Sequence, residues 1–270
     1  MRTYDTNNER ITKFFGKTDF EKIKVSIIGL GGGGEIALHL LRSGIINMNL
    51  FDFDILESGN LVRHICGSKY VGKNKAIAVK MLLEEYIGSG KSEIRSYDWN
   101  IFDDNETFLQ IIQSSDVVII ATDTDSSKYY INEMCVENKI PAIFVRMFED
   151  GCGGEVFSYI PGMACFECLT HFQNRQKFLE DYSKTIIKKD CSSKRDFSAM
   201  PGLGIDQSFL CSITARKALD IILKTSDSIL APVGKNWIVW SLFGIKGILE
   251  EHLSSLHHDY PVNENCSCCK

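Results

Sequence analysis

The sequence predicts an α/β fold: a Rossmann-like, mostly parallel sheet with helices on both faces. A short apolar strand runs into a glycine-rich turn, Gly29-Leu-Gly-Gly-Gly-Gly34, after which apolar residues recur at helical spacing. Strand-like and helix-like segments then alternate to about residue 160, an order that builds parallel sheets. The 270 residues can bury one large core, so we expect a single domain.

The predicted elements divide the chain into four parts. Residues 1–22 form an N-terminal helical arm, with a helix over 5–20, and residues 23–160 form a nucleotide-binding core. Strands are expected in the core at Lys24–Ile28, Asn47–Phe51, Glu93–Tyr97, Asp116–Ala121, Pro141–Val145 and Gly154–Ile160. Helices follow the glycines and are expected at Lys75–Tyr86, Asn105–Gln113 and Ser126–Glu137.

The remaining two parts lie beyond the core. Residues 171–203, rich in Lys, Asp and Ser, are predicted to form a mobile crossover loop because they contain little that could pack. Residues 204–270 form a C-terminal half with a helix at Gly204–Lys224, a strand at Asn236–Ile245 and a cysteine-rich tail.

Composition excludes several classes of protein. With 44% hydrophobic and 24% charged residues, the chain has the composition of a globular protein. A net charge of -5 argues against a nucleic-acid partner, because phosphate backbones require a basic face. Apolar runs are far shorter than the ~20 residues of a membrane span, and the N-terminus lacks a signal-peptide core. We expect a cytoplasmic protein without membrane association.

The glycine turn is a candidate phosphate site. Gly29, Gly31, Gly32 and Gly34 would let backbone N–H groups approach a phosphate at a helix N-terminus, where the helix dipole favours an anion. Asp52 ends the next strand and is placed to bond ribose hydroxyls. These residues alone indicate a nucleotide. They leave open a dinucleotide dehydrogenase, a mononucleotide enzyme and a glycine turn without a ligand.

The residues that follow favour a mononucleotide enzyme. The segments Asp52-Phe-Asp54, Asn60-Leu-Val-Arg63-His and Gly72-Lys-Asn-Lys75-Ala bring acids, an amide and two cations close behind the turn. A hydride-transfer site has no use for so much cationic charge beside the phosphates. Any one of these residues could instead form a surface salt bridge, but five in register fit that interpretation poorly.

These motifs resemble those of the ThiF/MoeB/HesA family, which is related to the ubiquitin-activating enzymes. The family signature is a glycine loop, D-x-D, N-L-x-R-Q and G-K-x-K-A, and the match is close except that His64 replaces the usual Gln. Asn8-Glu-Arg10-Ile and Ala121-Thr-Asp123 match two further family motifs. The resemblance covers nearly the whole chain.

The resemblance implies a role for each matched residue. Asp52 would hold the ribose, Arg63 and Lys75 would neutralise the phosphates of ATP, and Asp123 would hold Mg²⁺. Arg10 would reach into the active site of a partner subunit, which implies a homodimer. The implied nucleotide site comprises Gly29, Gly31, Gly32, Gly34, Asp52, Asp54, Asn60, Arg63, Lys75 and Asp123. Positioned cations suit this chemistry because attack on the α-phosphorus develops charge on phosphate oxygens.

Two Cys-x-x-Cys pairs predict a zinc site. Cys165, Cys168, Cys266 and Cys269 supply four thiolates, a ligand set suited to tetrahedral Zn²⁺ with no open position, so the zinc would be structural. Cys268 is an alternative partner for Cys266, and four unmetallated thiols are the other interpretation. The resembled family has this site too.

Cys191 is a candidate nucleophile. Four flanking cations, at 188, 189, 194 and 195, would favour its thiolate. In some branches of the resembled family a loop cysteine before a glycine-rich helix start accepts the acyl group, and Met200-Pro-Gly-Leu-Gly204 supplies such a start. Other members use no such cysteine, so an exposed thiol without function remains open.

The resemblance implies ATP-dependent adenylation of the C-terminal carboxylate of a small ubiquitin-like or sulfur-carrier protein ending in Gly, followed by a thioester on Cys191. Two alternatives are adenylation of a small carboxylate in tRNA modification and a non-catalytic scaffold half of an activating complex. The zinc pairs and acidic charge count against the first, and Arg63 and Lys75 count against the second.

One further stretch refines the resemblance. Phe148-Glu-Asp-Gly-Cys-Gly-Gly-Glu-Val156 looks more like bacterial relatives encoded beside ubiquitin-conjugating and deubiquitinating enzymes than like the thiamine or molybdopterin enzymes. Some of those relatives serve in antiphage defence. This placement implies a ubiquitin-conjugating-like enzyme as a second partner.

Overall fold

A computed structural model describes residues 13–16, 18–87, 92–148, 151–189, 202–224, 228–244 and 249–270. Within these residues eight strands form one sheet: β1 (Lys24–Ile28), β2 (Asn47–Phe51), β3 (Glu93–Tyr97), β4 (Val117–Ile120), β5 (Ala142–Met147), β6 (Gly153–Tyr159), β7 (Trp237–Ser241) and β8 (Ser254–His258). Their order is β3-β2-β1-β4-β5-β6-β7-β8.

The first five strands of that order pair in parallel, and β6, β7 and β8 add antiparallel strands at the other side. The central parallel strands are mostly apolar because helices cover both of their faces, although Ser26 and Asn49 are buried polar residues there. All four residues of β4, Val-Val-Ile-Ile, are buried. The predicted Rossmann-like, mostly parallel sheet is confirmed.

The described helices are α1 (Gly33–Arg42), α2 (Lys75–Ile87), α3 (Asn105–Ile112), α4 (Asp125–Glu137), α5 (Phe166–Thr170), α6 (Gln173–Lys189) and α7 (Gly204–Ile222). They lie on opposite faces of the sheet. One apolar core packs α1, α2 and α7 against one face, and a second packs α3 to α6 against the other. Successive strand residues point to opposite faces, so Ile27 belongs to the first core and Ile28 to the second.

The prediction of a crossover loop over residues 171–203 is wrong for its first half, where Gln173–Lys189 forms α6. Phe178 and Tyr182, one helical turn apart, are buried in the second core, and the ring of Tyr182 lies 4.5 Å from that of Phe148. Arg175 forms a buried ion pair with Glu155 of β6. These tertiary contacts hold a helix whose own sequence is mostly polar. Residues 190–201 lie outside the described residues.

Smaller differences concern the C-terminal half and the arm. The strand predicted at Asn236–Ile245 ends at Ser241, and β8 was not predicted because a polar, largely exposed edge strand shows no apolar pattern. Residues 13–15 of the predicted arm are helical, and residues 1–12 lie outside the described residues. None of the described helices combines the length and apolar character needed to cross a bilayer.

Candidate functional site

A cavity of about 570 Å³ opens at the carboxyl ends of the parallel strands. It lies where the strand order reverses between β1 and β4, the position at which open α/β sheets bind ligands. Of the predicted nucleotide-site residues, those that line it are Gly29, Gly31, Gly32, Asp52, Asp54, Asn60, Arg63, Lys75 and Asp123. The tertiary structure therefore brings together residues that are up to 94 positions apart in the sequence, from Gly29 to Asp123.

The glycine turn combines two kinds of position. Gly29 has a φ of +84°, and a Cβ there would stand 2.7 Å from the carbonyl oxygen of Ala121, so the turn lies directly against the end of β4. A Cβ at Gly31 would meet nothing within 4 Å, which leaves the backbone open to the cavity. Gly34 is not part of the cavity wall. A Cβ there would lie 3.0 Å from methyl groups of Ile65 and Val79, so Gly34 allows close packing of α1.

Asp52 ties the glycine turn to the end of β2. One carboxylate oxygen accepts a hydrogen bond from the N–H of Leu30 at 2.7 Å, and the other accepts from the N–H of Asp54 at 2.9 Å. Burial raises the pKa of Asp52, while these N–H donors favour its charged form and oppose the rise. Each oxygen can accept one further hydrogen bond, for example from a hydroxyl of a ligand.

Asn74 and Lys75 hold the Asp52-Phe-Asp54 loop against the start of α2. The ammonium of Lys75 lies 2.7 Å from the carboxylate of Asp54. The side-chain amide of Asn74 donates to the carbonyls of Asp52 and Asp54, and its oxygen accepts from the N–H of Ala76 at 2.8 Å. Sequence reasoning missed Asn74, although an asparagine directly before a helical pattern is a known N-cap signal.

Arg63 follows a short 3₁₀ helix, Ser58–Val62, whose start is closed by a reciprocal bond between Glu57 and the side chain of Asn60. The carbonyl of Arg63 accepts from the side-chain amide of Gln207 on α7 at 2.9 Å, which fixes the backbone there. Within the described residues no carboxylate pairs with its guanidinium. A half-buried cation without a counter-ion makes this part of the cavity attractive to an anion.

Lys128 is a second residue that sequence reasoning missed. Its side chain is 1% exposed, and its ammonium donates to the carbonyl of Thr122 at 2.5 Å, directly before Asp123. Burial lowers the pKa of Lys128, and the carboxylates of Asp125 and Asp123 oppose this. No apolar periodicity marks a lysine as buried, so only the fold could reveal that it supports the Thr122–Asp123 turn.

The four cysteines predicted to bind zinc lie close together beside α4. The Sγ atoms of Cys165 and Cys266 lie 3.6 Å apart and those of Cys168 and Cys269 3.4 Å apart, and all four lie within 4.8 Å of one another. Zn–S bonds of about 2.3 Å in a tetrahedron place sulfurs about 3.8 Å apart. The cluster therefore fits a structural Zn²⁺ site.

Cys268 lies beside this cluster. Its Sγ accepts a hydrogen bond from the side-chain amide of Asn132 at 3.1 Å. The oxygen of Asn132 in turn accepts from the N–H of Phe166 at 2.8 Å, which links α4 to the start of α5. Of the two pairings left open by the sequence, the geometry favours Cys266 with Cys269.

Two predicted site residues, Arg10 and Cys191, lie outside the described residues. Their roles as a residue donated to a partner subunit and as a nucleophile stay predictions.

Comparison with known proteins gives relatives of two named kinds. Adenylyltransferase and sulfurtransferase MOCS3 of Xenopus laevis is 30% identical over 156 residues, which cover 57% of this chain and 34% of that protein. Ubiquitin-like modifier-activating enzyme 5 of Dictyostelium discoideum is 29% identical over 161 residues, 56% of this chain and 42% of that protein. The chain therefore matches well under half the length of these relatives.

Solved structures show the same fold. The crystal structure of E. coli MccB with ATP has a TM-score of 0.67 and 22% identity, covering 93% of this chain and 68% of that one. PaaA has a TM-score of 0.67 and 19% identity, covering 94% of this chain and 82% of that one. The sequence pattern of the ThiF family matches residues 6–238, from the N-terminal arm into β7. Because this match covers 233 of the 270 residues, including the glycine turn and the five parallel strands, the chain belongs to the ThiF family.

Proposed function

We propose that the chain is an ATP-dependent adenylyltransferase that activates the C-terminal carboxylate of a small ubiquitin-like or sulfur-carrier protein. The observation that carries the proposal is that the open backbone at Gly31 and the side chains of Arg63, Lys75 and Asp123 line one and the same cavity. The relatives named as adenylyltransferase and as ubiquitin-like modifier-activating enzyme support the same activity.

The cavity suits a nucleoside triphosphate. The ribose hydroxyls would bond the carboxylate of Asp52, whose two oxygens already face N–H donors of the loops on either side. The phosphates would lie over Gly31 at the start of α1, where unpaired backbone N–H groups and the helix dipole favour an anion. Lys75 would then share its charge between Asp54 and a phosphate.

In the proposed reaction a carboxylate oxygen of the carrier attacks the α-phosphorus. A new P–O bond forms, the bond from the α-phosphorus to the bridging oxygen of the β-phosphate breaks, and pyrophosphate leaves with the electron pair. Arg63 and Lys75 stabilise the charge that develops on the phosphate oxygens. Mg²⁺, which Asp123 would hold, supplies further positive charge to the leaving phosphates.

Three further features belong to the proposal. Arg10 of one subunit would complete the site of a second, so the active form would be a homodimer. Cys191 would take the acyl group from the adenylate as a thioester and release AMP, and a ubiquitin-conjugating-like enzyme would accept it in an amine-conjugation pathway. A reducing cytoplasm would keep the four zinc thiolates of the cysteine cluster from forming disulfides.

Carrier-dependent ATP–pyrophosphate exchange tests the adenylation step. Wild-type protein with a carrier ending in Gly should exchange labelled pyrophosphate into ATP, and the same carrier lacking that Gly should not. Asp123→Ala should lower exchange by at least about 100-fold, because it removes the carboxylate that would hold the Mg²⁺ beside the leaving group. Glu137→Ala, at the exposed C-terminal end of α4, the helix that follows Asp123, is the matched control and should exchange normally. Near-normal exchange by Asp123→Ala would remove this residue from the mechanism.

The thioester step needs a separate test. Cys191→Ala should retain pyrophosphate exchange but lose the thiol-reducible adduct with the carrier on a non-reducing gel. An adduct that persists in this variant would exclude Cys191 as the acceptor and direct attention to sulfur transfer without a thioester.

A further inference from the structure

His64 stands directly after Arg63 and lies in the wall of the cavity with its side chain 8% exposed. Its Nδ1 accepts a hydrogen bond from the N–H of Cys66 at 3.1 Å. In a neutral imidazole only one nitrogen carries the proton, so an Nδ1 that accepts requires the proton on Nε2. The second ring nitrogen of His64 is therefore a hydrogen-bond donor.

The ring stays neutral at physiological pH. Burial, followed by the charge of Lys75, lowers the pKa of His64 to about 4, and the backbone of Leu30 opposes this lowering only in part. These two neighbours also locate the ring: Leu30 belongs to the glycine turn, and Lys75 is the cation at the start of α2. His64 thus places an uncharged donor between the turn and that cation.

Nε2 of His64 is buried and makes no well-formed hydrogen bond among the described residues, although the backbone of Leu30 lies close enough to favour the protonated ring. Two other buried polar atoms of the described residues also lack a hydrogen bond, Nε2 of His39, which lies 3.7 Å from a carboxylate oxygen of Glu35, and Oδ1 of Asn47, and neither residue lines the cavity. A buried donor without an acceptor costs stability. The fold tolerates this cost beside a cavity whose walls already carry Arg63 and Lys75, which suggests that the missing acceptor belongs to a ligand.

We infer that His64 donates a hydrogen bond from Nε2 to a phosphate oxygen of the bound nucleotide. The inference rests on the proposed use of ATP and adds a specificity-determining contact to it. A phosphate oxygen is the acceptor that the surroundings favour, because the adjacent backbone and cation are those expected to hold phosphates. The glutamine usual at this position in the resembled family is also a neutral donor, so the replacement keeps the kind of bond.

Two substitutions separate this role from a structural one. His64→Phe keeps a planar ring of similar size without a donor, whereas His64→Gln restores a neutral donor. His39→Gln is the control, since His39 is a partly buried histidine on α1 that lies outside the cavity. Each full-length variant would be titrated with ATP and with adenosine by competition against a fluorescent ATP analogue, and its melting temperature measured without nucleotide.

His64→Phe should weaken ATP binding about 10- to 100-fold, the value of one hydrogen bond to a charged acceptor. It should leave adenosine binding unchanged, and it should lower the melting temperature somewhat because the buried N–H of Cys66 loses its acceptor. His64→Gln should recover most of the ATP affinity, and His39→Gln should bind both ligands like the wild type.

Equal weakening of ATP and adenosine by His64→Phe would overturn the inference, since a role in shaping the pocket predicts that result. Unchanged ATP affinity of His64→Phe would overturn it as well, because Nε2 would then serve a buried water. If the wild-type protein itself fails to bind ATP, the proposed function fails and this inference fails with it. If the wild type binds and only the His64→Phe result is contrary, the proposed function stands.

Discussion

Substitution of Gly29 by alanine is expected to destabilise the folded chain by about 2–5 kcal/mol. An L-residue at a φ of +84° costs about 1–2 kcal/mol. The new Cβ would also stand 2.7 Å from the carbonyl oxygen of Ala121 and 3.0 Å from the nitrogen of Thr122. Both are backbone atoms at the end of a central strand and cannot rotate away, and overpacking of this kind costs about 1–3 kcal/mol.

Two other glycines separate these contributions. Gly162 has a φ of +85° with nothing within 4 Å of the Cβ position, so Gly162→Ala should cost only the conformational part, about 1–2 kcal/mol. Gly31→Ala meets no atom within 4 Å and should change stability by no more than about 0.5 kcal/mol. Its methyl group should nevertheless weaken nucleotide binding, because Gly31 lines the cavity.

Urea unfolding followed by tryptophan fluorescence, without nucleotide, would give the three free energies. Gly29→Ala should lower the free energy of unfolding clearly more than Gly162→Ala does, since the two positions have nearly the same φ and differ in the contact with Ala121. Equal costs would show that the turn moves away from β4 freely. Loss of stability without loss of nucleotide binding in Gly31→Ala would contradict the assignment of the open turn to phosphate.

Three more predictions concern the zinc cluster, the buried ion pair and the effect of acid. Elemental analysis should find one bound zinc per chain in the wild type, which Cys165→Ser should lose and Cys268→Ser should keep; the same loss in both would refute the ligand set. Arg175→Met should lower the free energy of unfolding by about 3–5 kcal/mol because Glu155 is left buried and charged. Adding Glu155→Gln should restore most of it, and a double variant as unstable as the single one would contradict this account. Between pH 6.5 and about 4 the unfolded chain protonates His64 and the folded chain does not, so stability should fall by about 3 kcal/mol as the pH drops through this range. His64→Gln should flatten that part of the urea-measured pH profile, and an unchanged profile would exclude His64 as its source.

Much of the fold could be predicted because its signals are local. The strand, glycine turn and helix at residues 24–42 are neighbours in sequence, and the apolar run of β4 marks a strand buried on both faces without reference to any partner. Once parallel strands are predicted, their carboxyl ends must meet at one edge of the sheet. This is why Asp52 and Asp123, which the family resemblance assigned to one site, line one cavity.

The features that were missed depend on contacts between distant residues. Helix α6 is mostly polar and is held by Arg175 pairing with Glu155 and by Tyr182 packing on Phe148, none of which shows as a periodic pattern. The choice of zinc ligands depends in the same way on Asn132, which bonds Cys268 from a helix 136 positions away in the sequence.

By itself, then, the sequence determined the order of strands and helices up to β6, the glycine turn, the charged residues that line the cavity and the presence of four zinc-type cysteines. The tertiary structure decided which of the neighbouring side chains are buried, what each one bonds, and therefore which proton His64 carries and why Lys128 supports Asp123. The physical reason is that periodicity reports which face of an element is apolar, whereas the state of a buried polar group depends on the partners that packing brings to it.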